Sequence, residues 1–354
     1  MNGTEEPARE SPVLRVDPTL DPNWDRDLSS CEGATFFHTS AWALTIKDTY
    51  GFEPAYFVTR RPGQVEAVLP MMDVKSWLTG KRGVSLPFTD ECAPLGPDAA
   101  TVARLFREAQ AFASLRQWRY IECRGGLDLL AQNRPSQAFL GHRLNLSHGE
   151  AALFEGFEGA VRRAIRKAEQ SGLSVEASIS LEAVREFYAL FCKTRRRHGV
   201  PPQPFLFFSN LHKNVLGRGH GRIVVARHGG LPVAAAIFLH FRNTALYKFG
   251  ASDVAFNHLR ANNLVMWEAI RHYAGKGYDN LDFGRTSFTN PGLRRFKQSW
   301  GTMEHTINYM RQDCRTGGSW PVSDAASGWR TRLLRLLPGP AFRWAGSVLY
   351  KHTA

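Results

Sequence analysis

Three charged residues in the last third of the chain have the types and spacing that group-transfer chemistry needs. Asp282 lies in an otherwise apolar stretch, Arg285 follows it closely, and Lys297 lies in the next predicted helix. A carboxylate can accept a proton, and a cation can stabilise negative charge that develops on a carbonyl or phosphate. Two alternatives stay open: Asp282 and Arg285 could form a structural ion pair, and Lys297 could be a surface lysine.

The surrounding residues predict a strand, a turn and a short helix. Residues 278–283 alternate apolar and polar side chains, which is typical of a half-buried strand, and Gly284 is predicted to end it. Asn290 and Pro291 then provide an N-cap and a first helical residue. Three apolar residues at helical spacing are predicted to face a core, with Lys297 off their stripe: Leu293, Phe296 and Trp300. Ligands bind at such strand ends in α/β sheets.

Two further groups of residues are candidates for substrate binding or catalysis. A helix predicted over 158–170 carries four basic residues with no acid between them: Arg162, Arg163, Arg166 and Lys167. They are predicted either to bind phosphate or to form a solvated face. Tyr247 and Lys248 lie in the middle of a predicted strand. The Tyr247 hydroxyl is a second candidate proton acceptor besides Asp282, and Lys248 is predicted to point into a cleft.

The composition is that of a basic globular protein. The 354 residues carry a net charge of +13, which favours a nucleic acid, a phosphorylated substrate or a membrane surface as partner without choosing among them. Five scattered cysteines predict reduced thiols and no metal site. The motifs of zinc proteases, α/β-hydrolases and P-loop NTPases are missing from the sequence. With neither a signal peptide nor a spanning segment in the pattern, we expect a cytoplasmic protein.

The order of predicted elements indicates two α/β domains. Residues 1–33 are a lead-in, residues 34–150 and 151–312 each run helix, antiparallel strands, helix and strand, and residues 313–354 form a basic amphipathic tail. Within the tail, residues 329–354 combine basic side chains with Leu, Trp and Tyr and contain no acid. Two interpretations fit this pattern: peripheral contact with an anionic membrane, or packing on the protein's own core.

Three stretches of the second half resemble the FemAB-like family of the GNAT fold, also described as BioF2-like acetyltransferases. They are VRRAIRKAEQSGLSV at 161–175, ANNLVMWEAIRHYAGKGYDNLDFGRT at 261–286 and GLRRFKQSWG at 292–301. In that family a basic helix opens the second domain, and a DFG-like strand end precedes a GLxxFKxxFG helix. Here Trp300 stands where Phe is usual. The first half resembles the family more loosely, through ECAPLGP at 91–97. The resemblance implies two GNAT-like domains, each with a mixed, mostly antiparallel sheet flanked by helices.

The resemblance also implies an activity. Family members transfer an activated acyl or aminoacyl group to an amine, here expected on a peptidoglycan, exopolysaccharide or lipid precursor of the cell envelope. The donor would be acyl-CoA or aminoacyl-tRNA, used as a substrate with no tightly bound cofactor, and Lys297 would meet its phosphate–ribose end or its reacting carbonyl. Residues 253–263 lack the glycines with which classical members bind the coenzyme A pyrophosphate. Arg260, Asn262 and the helix N-terminus are the remaining candidates for that contact.

Two non-catalytic alternatives use the same fold. The chain could be a nucleic-acid-binding protein that has lost catalysis, or a membrane-peripheral scaffold. The net charge fits both, as it fits the transferase, and no sequence pattern specifies an oligomeric state.

Overall fold

A computed structural model describes residues 11–130, 134–320 and 337–353. The first half contains these elements: β1 (Leu14–Val16), α1 (Trp24–Leu28), α2 (Ser40–Tyr50), β2 (Glu53–Pro54), β3 (Tyr56–Arg61), β4 (Gln64–Leu69), β5 (Met72–Ser76), β6 (Gly80–Val84), α3 (Ala99–Arg116), β7 (Tyr120–Arg124) and β8 (Gln137–Asn145). The second half contains these: α4 (Glu150–Gly156), α5 (Gly159–Glu169), β9 (Leu173–Ser178), α6 (Leu181–His198), α7 (Phe205–Asn214), β10 (Gly221–His228), β11 (Leu231–Phe241), β12 (Thr244–Ser252), α8 (Ala261–Gly275), β13 (Asn280–Thr286), α9 (Pro291–Gln298), β14 (Met303–Asp313) and α10 (Gly339–Thr353).

Eleven strands of the described residues form one sheet that runs through both halves of the chain. The order is β2-β5-β6-β7-β14-β8-β13-β12-β11-β10-β9, and β1, β3 and β4 form a separate small sheet. Only the β6–β7 and β12–β13 pairs among the described strands are parallel. The mixed, mostly antiparallel GNAT-like architecture is therefore confirmed. The last strand, β14, lies between β7 and β8, so strands from the two ends of the sequence alternate at the centre.

Helices cover both faces of the second half of the sheet. On β10, Ile223 and Val225 join one hydrophobic core with α2, α6 and α7, while Val224 and Ala226 join another with α5 and α8. Because alternate side chains of a strand point to opposite faces, a strand buried on both faces is apolar throughout. This explains why the sequence predicted strands such as β10 well.

Local capping signals fixed several helix boundaries. Helix α6 spans the predicted residues because the Ser180 side chain accepts a hydrogen bond from the amide of Ala183, and Gly199 ends the helix in a left-handed conformation.

Helix α7 was not predicted. It begins directly after a proline-rich stretch, without a side-chain N-cap, and is held by packing of buried residues such as Phe207 and Phe208.

The C-terminal helix α10 packs on the protein by one face and exposes the other. Phe342 is buried, and the Tyr350 hydroxyl accepts a hydrogen bond of 2.7 Å from Arg195. Trp344, by contrast, is 69% exposed. The preceding basic residues at 321–336 lie outside the described residues. None of the described helices is both long enough and apolar enough to cross a bilayer.

Candidate functional site

Lys297 is the buried residue of α9, although it was predicted to lie off the buried stripe; Trp300 faces the core as predicted, and Phe296 packs against that core. Its side chain is 3% exposed, and its ammonium donates hydrogen bonds of 2.8 and 3.0 Å to the carbonyl oxygens of Gly284 and Arg285. Leu293, which was predicted to face the core, is 38% exposed instead. Helical spacing alone missed this arrangement because the carbonyl groups of β13 provide polar partners inside the protein. Burial lowers the pKa of Lys297 to about 8, although the carboxylates of Asp90 and Asp282 oppose the shift.

Asp282 lies on β13, just before an irregularity of that strand. Its carboxylate accepts a hydrogen bond of 2.6 Å from the amide of Gly284, and burial raises its pKa. Gly284 was predicted to end the strand, but the strand continues to Thr286. Gly284 instead has a φ of +70°, and the pairing of β13 with β8 shifts register there. Such a bulge re-aims the neighbouring side chains.

Arg285 approaches Asp90 instead of Asp282. The distance from Arg285 Nε to Asp90 Oδ1 is 4.0 Å, and the Arg285 guanidinium lies 4.1 Å from the centre of the Phe139 ring. The bulge between Asp282 and Arg285 separates the two side chains, so the Asp282–Arg285 pair considered from the sequence does not form. The cation whose charge opposes the raised pKa of Asp282 is Arg143 instead.

Lys248 links the second half of the chain to a loop of the first half. Its ammonium lies 3.1 Å from Asp90 Oδ2 and donates a hydrogen bond of 2.7 Å to the carbonyl oxygen of Phe88. Phe88 has a φ of +63°, which is uncommon for a residue other than glycine. Burial would raise the pKa of Asp90, but Lys248 and Arg285 beside it hold that pKa below its usual value. Lys248 on β12 therefore forms an ion pair with Asp90 and so connects the second half of the chain to the first.

Tyr247 lies apart from this charged cluster. The pairing of β11 with β12 shifts register at Lys248, so that this residue is an extra one on β12 without an opposite residue on β11. The neighbouring Tyr247 packs against the rings of Phe238 and Phe283. Burial, with no contribution from a charged neighbour, raises the pKa of Tyr247 to about 12. The hydroxyl faces a cavity beside Gly250 and Asn262, which sits on the far side of β12 from Asp90.

The four basic residues of α5 divide into two stripes. Arg163 and Lys167 line a cavity of about 600 Å³, whereas Arg166 lies over the ring of Phe154 and Arg162 lies outside that lining. Residues four apart share a helix face, so the two pairs point in different directions. Two more cations complete the cavity, Arg260 at the start of α8 and Arg295 on α9, with Glu158 as its acidic member. We call this the basic cavity.

The N-terminus of α8 lies between the basic cavity and a smaller cavity next to it. Arg260 precedes the helix with a φ of +59° and lines both the basic cavity and a smaller one that contains Asn262. The residues before it form a 3-10 helix, Val254–Leu259, capped by the side chain of Asp253. The glycine-free stretch noted in the sequence thus folds into a turn of helix and not into an open loop.

A second cavity lies where the two halves meet. It has a volume of about 260 Å³ and four carboxylates in its lining: Asp90, Glu91, Asp279 and Asp282. Arg143 and Arg242 are its two cations, and Phe36 and Phe37 contribute an apolar wall. We call this the acidic cavity. Its net negative charge favours a cationic ligand such as a protonated amine.

Asp90, Arg143 and Arg295 were not among the residues that the sequence indicated. Asp90 precedes the ECAPLGP stretch by one residue, in a loop that no helix or strand period singles out. Asp90 meets Lys248 of β12 and Arg285 of β13 only when the first half of the chain folds against these strands. Arg295 lies within the quoted 292–301 stretch, where it could have been noticed as a second cation of α9.

The comparisons with known proteins agree with this architecture. The acetyltransferase (GNAT) domain family matches residues 157–298, within the predicted second domain. No curated protein matches the sequence.

Among solved structures, the crystal structure of FemX is similar with a TM-score of 0.66 and 15% identity, over 84% of this chain and 96% of that one. The C-terminal domain of a putative lysylphosphatidylglycerol synthetase from Agrobacterium fabrum has a TM-score of 0.53 and 13% identity, over 76% and 86%. A tandem GNAT protein from the clavulanic acid biosynthesis pathway has a TM-score of 0.51 and 12% identity, over 87% and 100%. At such identities the likeness shows the fold. Residues 157–298 thus match an acetyltransferase (GNAT) domain, and the chain as a whole is similar in fold to FemX.

Proposed function

We propose that the protein transfers an activated acyl or aminoacyl group from a phosphate-bearing donor to an amine of a cell-envelope precursor. The observation that carries this proposal is that α9 lines the basic cavity and contacts β13, the strand whose Asp282 lines the acidic cavity. Arg295 and Phe296 of this helix line the basic cavity, while Lys297 reaches the strand whose Asp282 lines the acidic cavity. A donor and an amine bound on the two sides would meet near Lys297 and Asp282.

The basic cavity suits the phosphate groups of the donor. Arg163, Arg260 and Arg295 can each bind phosphate through two N–H groups, and Lys167 adds a point charge. Acyl-CoA and aminoacyl-tRNA both carry phosphates on the same molecule as the activated carbonyl, so both remain candidate donors. The donor is a substrate that leaves after each turnover.

The acidic cavity suits an amine acceptor. The bound ammonium first loses a proton to solvent, and the neutral nitrogen then attacks the carbonyl carbon of the donor thioester or ester, so that the new C–N bond forms as the carbonyl oxygen takes on negative charge. Asp282, which is partly buried and whose pKa is raised, accepts the proton released by the nitrogen. Lys297 stabilises the negative oxygen until the C–S or C–O bond to the donor breaks. The thiolate or alkoxide leaving group then takes up the proton that Asp282 accepted, which returns Asp282 to its ionised form.

The cellular setting of this reaction is part of the same proposal. One structural neighbour, a putative lysylphosphatidylglycerol synthetase, is named after a lipid that carries a lysyl group. This supports an acceptor in the cell envelope. A cytoplasmic enzyme could reach such a precursor from the inner face of the membrane.

Binding and transfer assays test the proposed function. Purified protein is mixed separately with acetyl-CoA, a long-chain acyl-CoA and bulk aminoacyl-tRNA, and binding and acyl transfer to amine acceptors are measured. We expect one donor to bind, and we expect Lys297→Met to reduce transfer by about 100-fold, because charge stabilisation of this kind contributes on that scale. Lys276→Met, which replaces an exposed lysine, should leave transfer unchanged. Salt-sensitive RNA binding with no transfer, or no donor binding at all, would instead favour the nucleic-acid-binding or scaffold alternatives.

A further inference from the structure

A turn of the first half and the C-terminal helix together display a row of exposed apolar side chains. Trp77 and Leu78, in the turn between β5 and β6, are 84% and 59% exposed. On α10, Trp344 is 69% exposed and Val348 is 36% exposed. Burying large apolar side chains would be favourable by about 1.5–3 kcal/mol each, so exposed tryptophans on two neighbouring elements indicate a partner.

These side chains form one surface. Trp344, Val348 and His352 are spaced by four residues and therefore follow one stripe of α10. The Trp77 ring packs edge-on against the His352 ring, with 5.2 Å between the ring centroids. The turn thus continues the stripe beyond the end of the helix. We call the set of Trp77, Leu78, Trp344 and Val348 the tryptophan ridge.

A network of hydrogen bonds holds the ridge in place from below. The Ser76 hydroxyl lies 2.9 Å from His352 Nδ1 and accepts a hydrogen bond of 2.9 Å from the amide of Thr79. The Thr79 hydroxyl and the Arg82 guanidinium both donate to the carbonyl oxygen of His352, at 3.0 and 3.2 Å. His352 and Arg82 are almost completely buried. The tryptophans are therefore presented on a fixed support, which lowers the entropic cost of binding.

The positive charges beside the tryptophan ridge favour an anionic partner. Arg343 and Lys351 are exposed on the same helix, and residues 329–354 contain no Asp or Glu. A second copy of the chain would bring the same positive charge and be repelled. A bilayer with anionic headgroups attracts the cations, and its hydrocarbon edge takes up tryptophan and aliphatic side chains. Aliphatic side chains such as Leu78 and Val348 have no comparable role against nucleic-acid bases.

We propose that the tryptophan ridge is a docking surface for an anionic lipid bilayer, with Trp77 and Trp344 entering the interface and Arg343 and Lys351 contacting the headgroups. This inference uses no residue of the acyl-transfer site. It also assigns part of the contact to the first half of the chain, in addition to the C-terminal tail.

Vesicle sedimentation tests the proposal. The full-length protein is mixed with vesicles of phosphatidylcholine containing phosphatidylglycerol, and separately with vesicles of phosphatidylcholine alone. We expect binding to the anionic vesicles that weakens with added salt, and a loss of about tenfold in the partition coefficient for each of Trp77→Ser and Trp344→Ser. Leu231→Ser and Leu115→Ser replace leucines that are 61% and 77% exposed elsewhere and serve as matched controls.

Two further measurements make the outcome decisive. Brominated lipids should quench the tryptophan fluorescence of the wild-type protein more than that of Trp77→Phe with Trp344→Phe, and this conservative double variant should keep the wild-type melting temperature. The proposal is overturned if the protein ignores anionic vesicles, or if the serine variants bind as well as the leucine controls. It is equally overturned if analytical ultracentrifugation shows a dimer that the serine substitutions dissociate.

Discussion

At the scale of single residues, the proposed chemistry depends on a lysine that is buried yet charged. The ammonium of Lys297 is held by two main-chain carbonyl groups, and its charge is supported by nearby carboxylates. Because its pKa is lowered to about 8, the ammonium loses its proton not far above neutral pH. A role in stabilising negative charge therefore has a pH limit that an exposed lysine would not show.

We predict that the rate of acyl transfer falls as the pH rises through about 8. The sign follows from the protonation state: below this pKa Lys297 is charged and can stabilise the oxyanion, and above it the residue is neutral. In Lys297→Arg the guanidinium stays charged, so the remaining activity should persist to higher pH. The measurement is the pH profile of kcat/KM for both proteins. A wild-type profile that is flat across the titration of Lys297 would rule out this role.

At the scale of elements, the bulge of β13 turns Arg285 away from Asp282 and toward Asp90. Gly284 makes this possible through its φ of +70° and through its lack of a side chain, since a Cβ there would lie 3.1 Å from Asp90 Oδ2. Gly277, in the turn before the same strand, has a φ of +75° but nothing within 4 Å of the corresponding position. An alanine at either position would strain the backbone, but only an alanine at position 284 would also contact Asp90.

We predict that Gly284→Ala and Gly277→Ala each lower the free energy of unfolding by about 1–2 kcal/mol, because both force alanine into a left-handed conformation. Only Gly284→Ala should also reduce acyl transfer, because its methyl group displaces Asp90. Urea unfolding and steady-state kinetics on the two variants provide the comparison. Equal activities in the two variants would show that the position of Asp90 does not matter for the reaction.

At the scale of the whole molecule, one continuous sheet joins the two halves, and a buried charge cluster strengthens the joint. Glu122 on β7 pairs with Arg124 on the same strand and with Arg311 on β14. Burial would raise the pKa of Glu122, but the two guanidinium groups lower it to about 2. The stabilisation from this lowered pKa is complete above the ordinary pKa of glutamate and is lost as the pH falls toward 2.

We predict that Glu122→Gln lowers the free energy of unfolding at neutral pH by roughly 3 kcal/mol, because it leaves two half-buried guanidinium groups without a counter-charge. Its stability should also decline less than that of the wild type between about pH 4.5 and pH 2, since the titrating group is gone. Denaturant unfolding at several pH values measures both effects. Glu182→Gln, which removes an exposed i,i+3 pair with Arg185, should change stability by less than about 1 kcal/mol. A loss no larger than in this control would contradict the assignment.

The sequence predicted the fold better than the site. Strands such as β10 and β11 are apolar on both faces, and helices such as α6 carry their own caps, so local patterns determine them. The charged cluster depends on contacts between distant segments. Asp90 reaches Lys248 and Arg285 only across the junction of the halves, and Lys297 is buried because carbonyl groups of another element accept its hydrogen bonds. Neither contact leaves a periodic signal in the sequence.

The central position of β14 has a consequence for synthesis of the protein. This strand is the last of the sheet to leave the ribosome, yet it fills the gap between β7 and β8. Until residue 313 has emerged, those two strands each present an edge with unpaired amide and carbonyl groups. The sheet is therefore completed only after residue 313 has been translated, by pairing of segments far apart in sequence, which is a slow step in folding. A chain that stops before β14 would expose both edges at once and would be prone to aggregation.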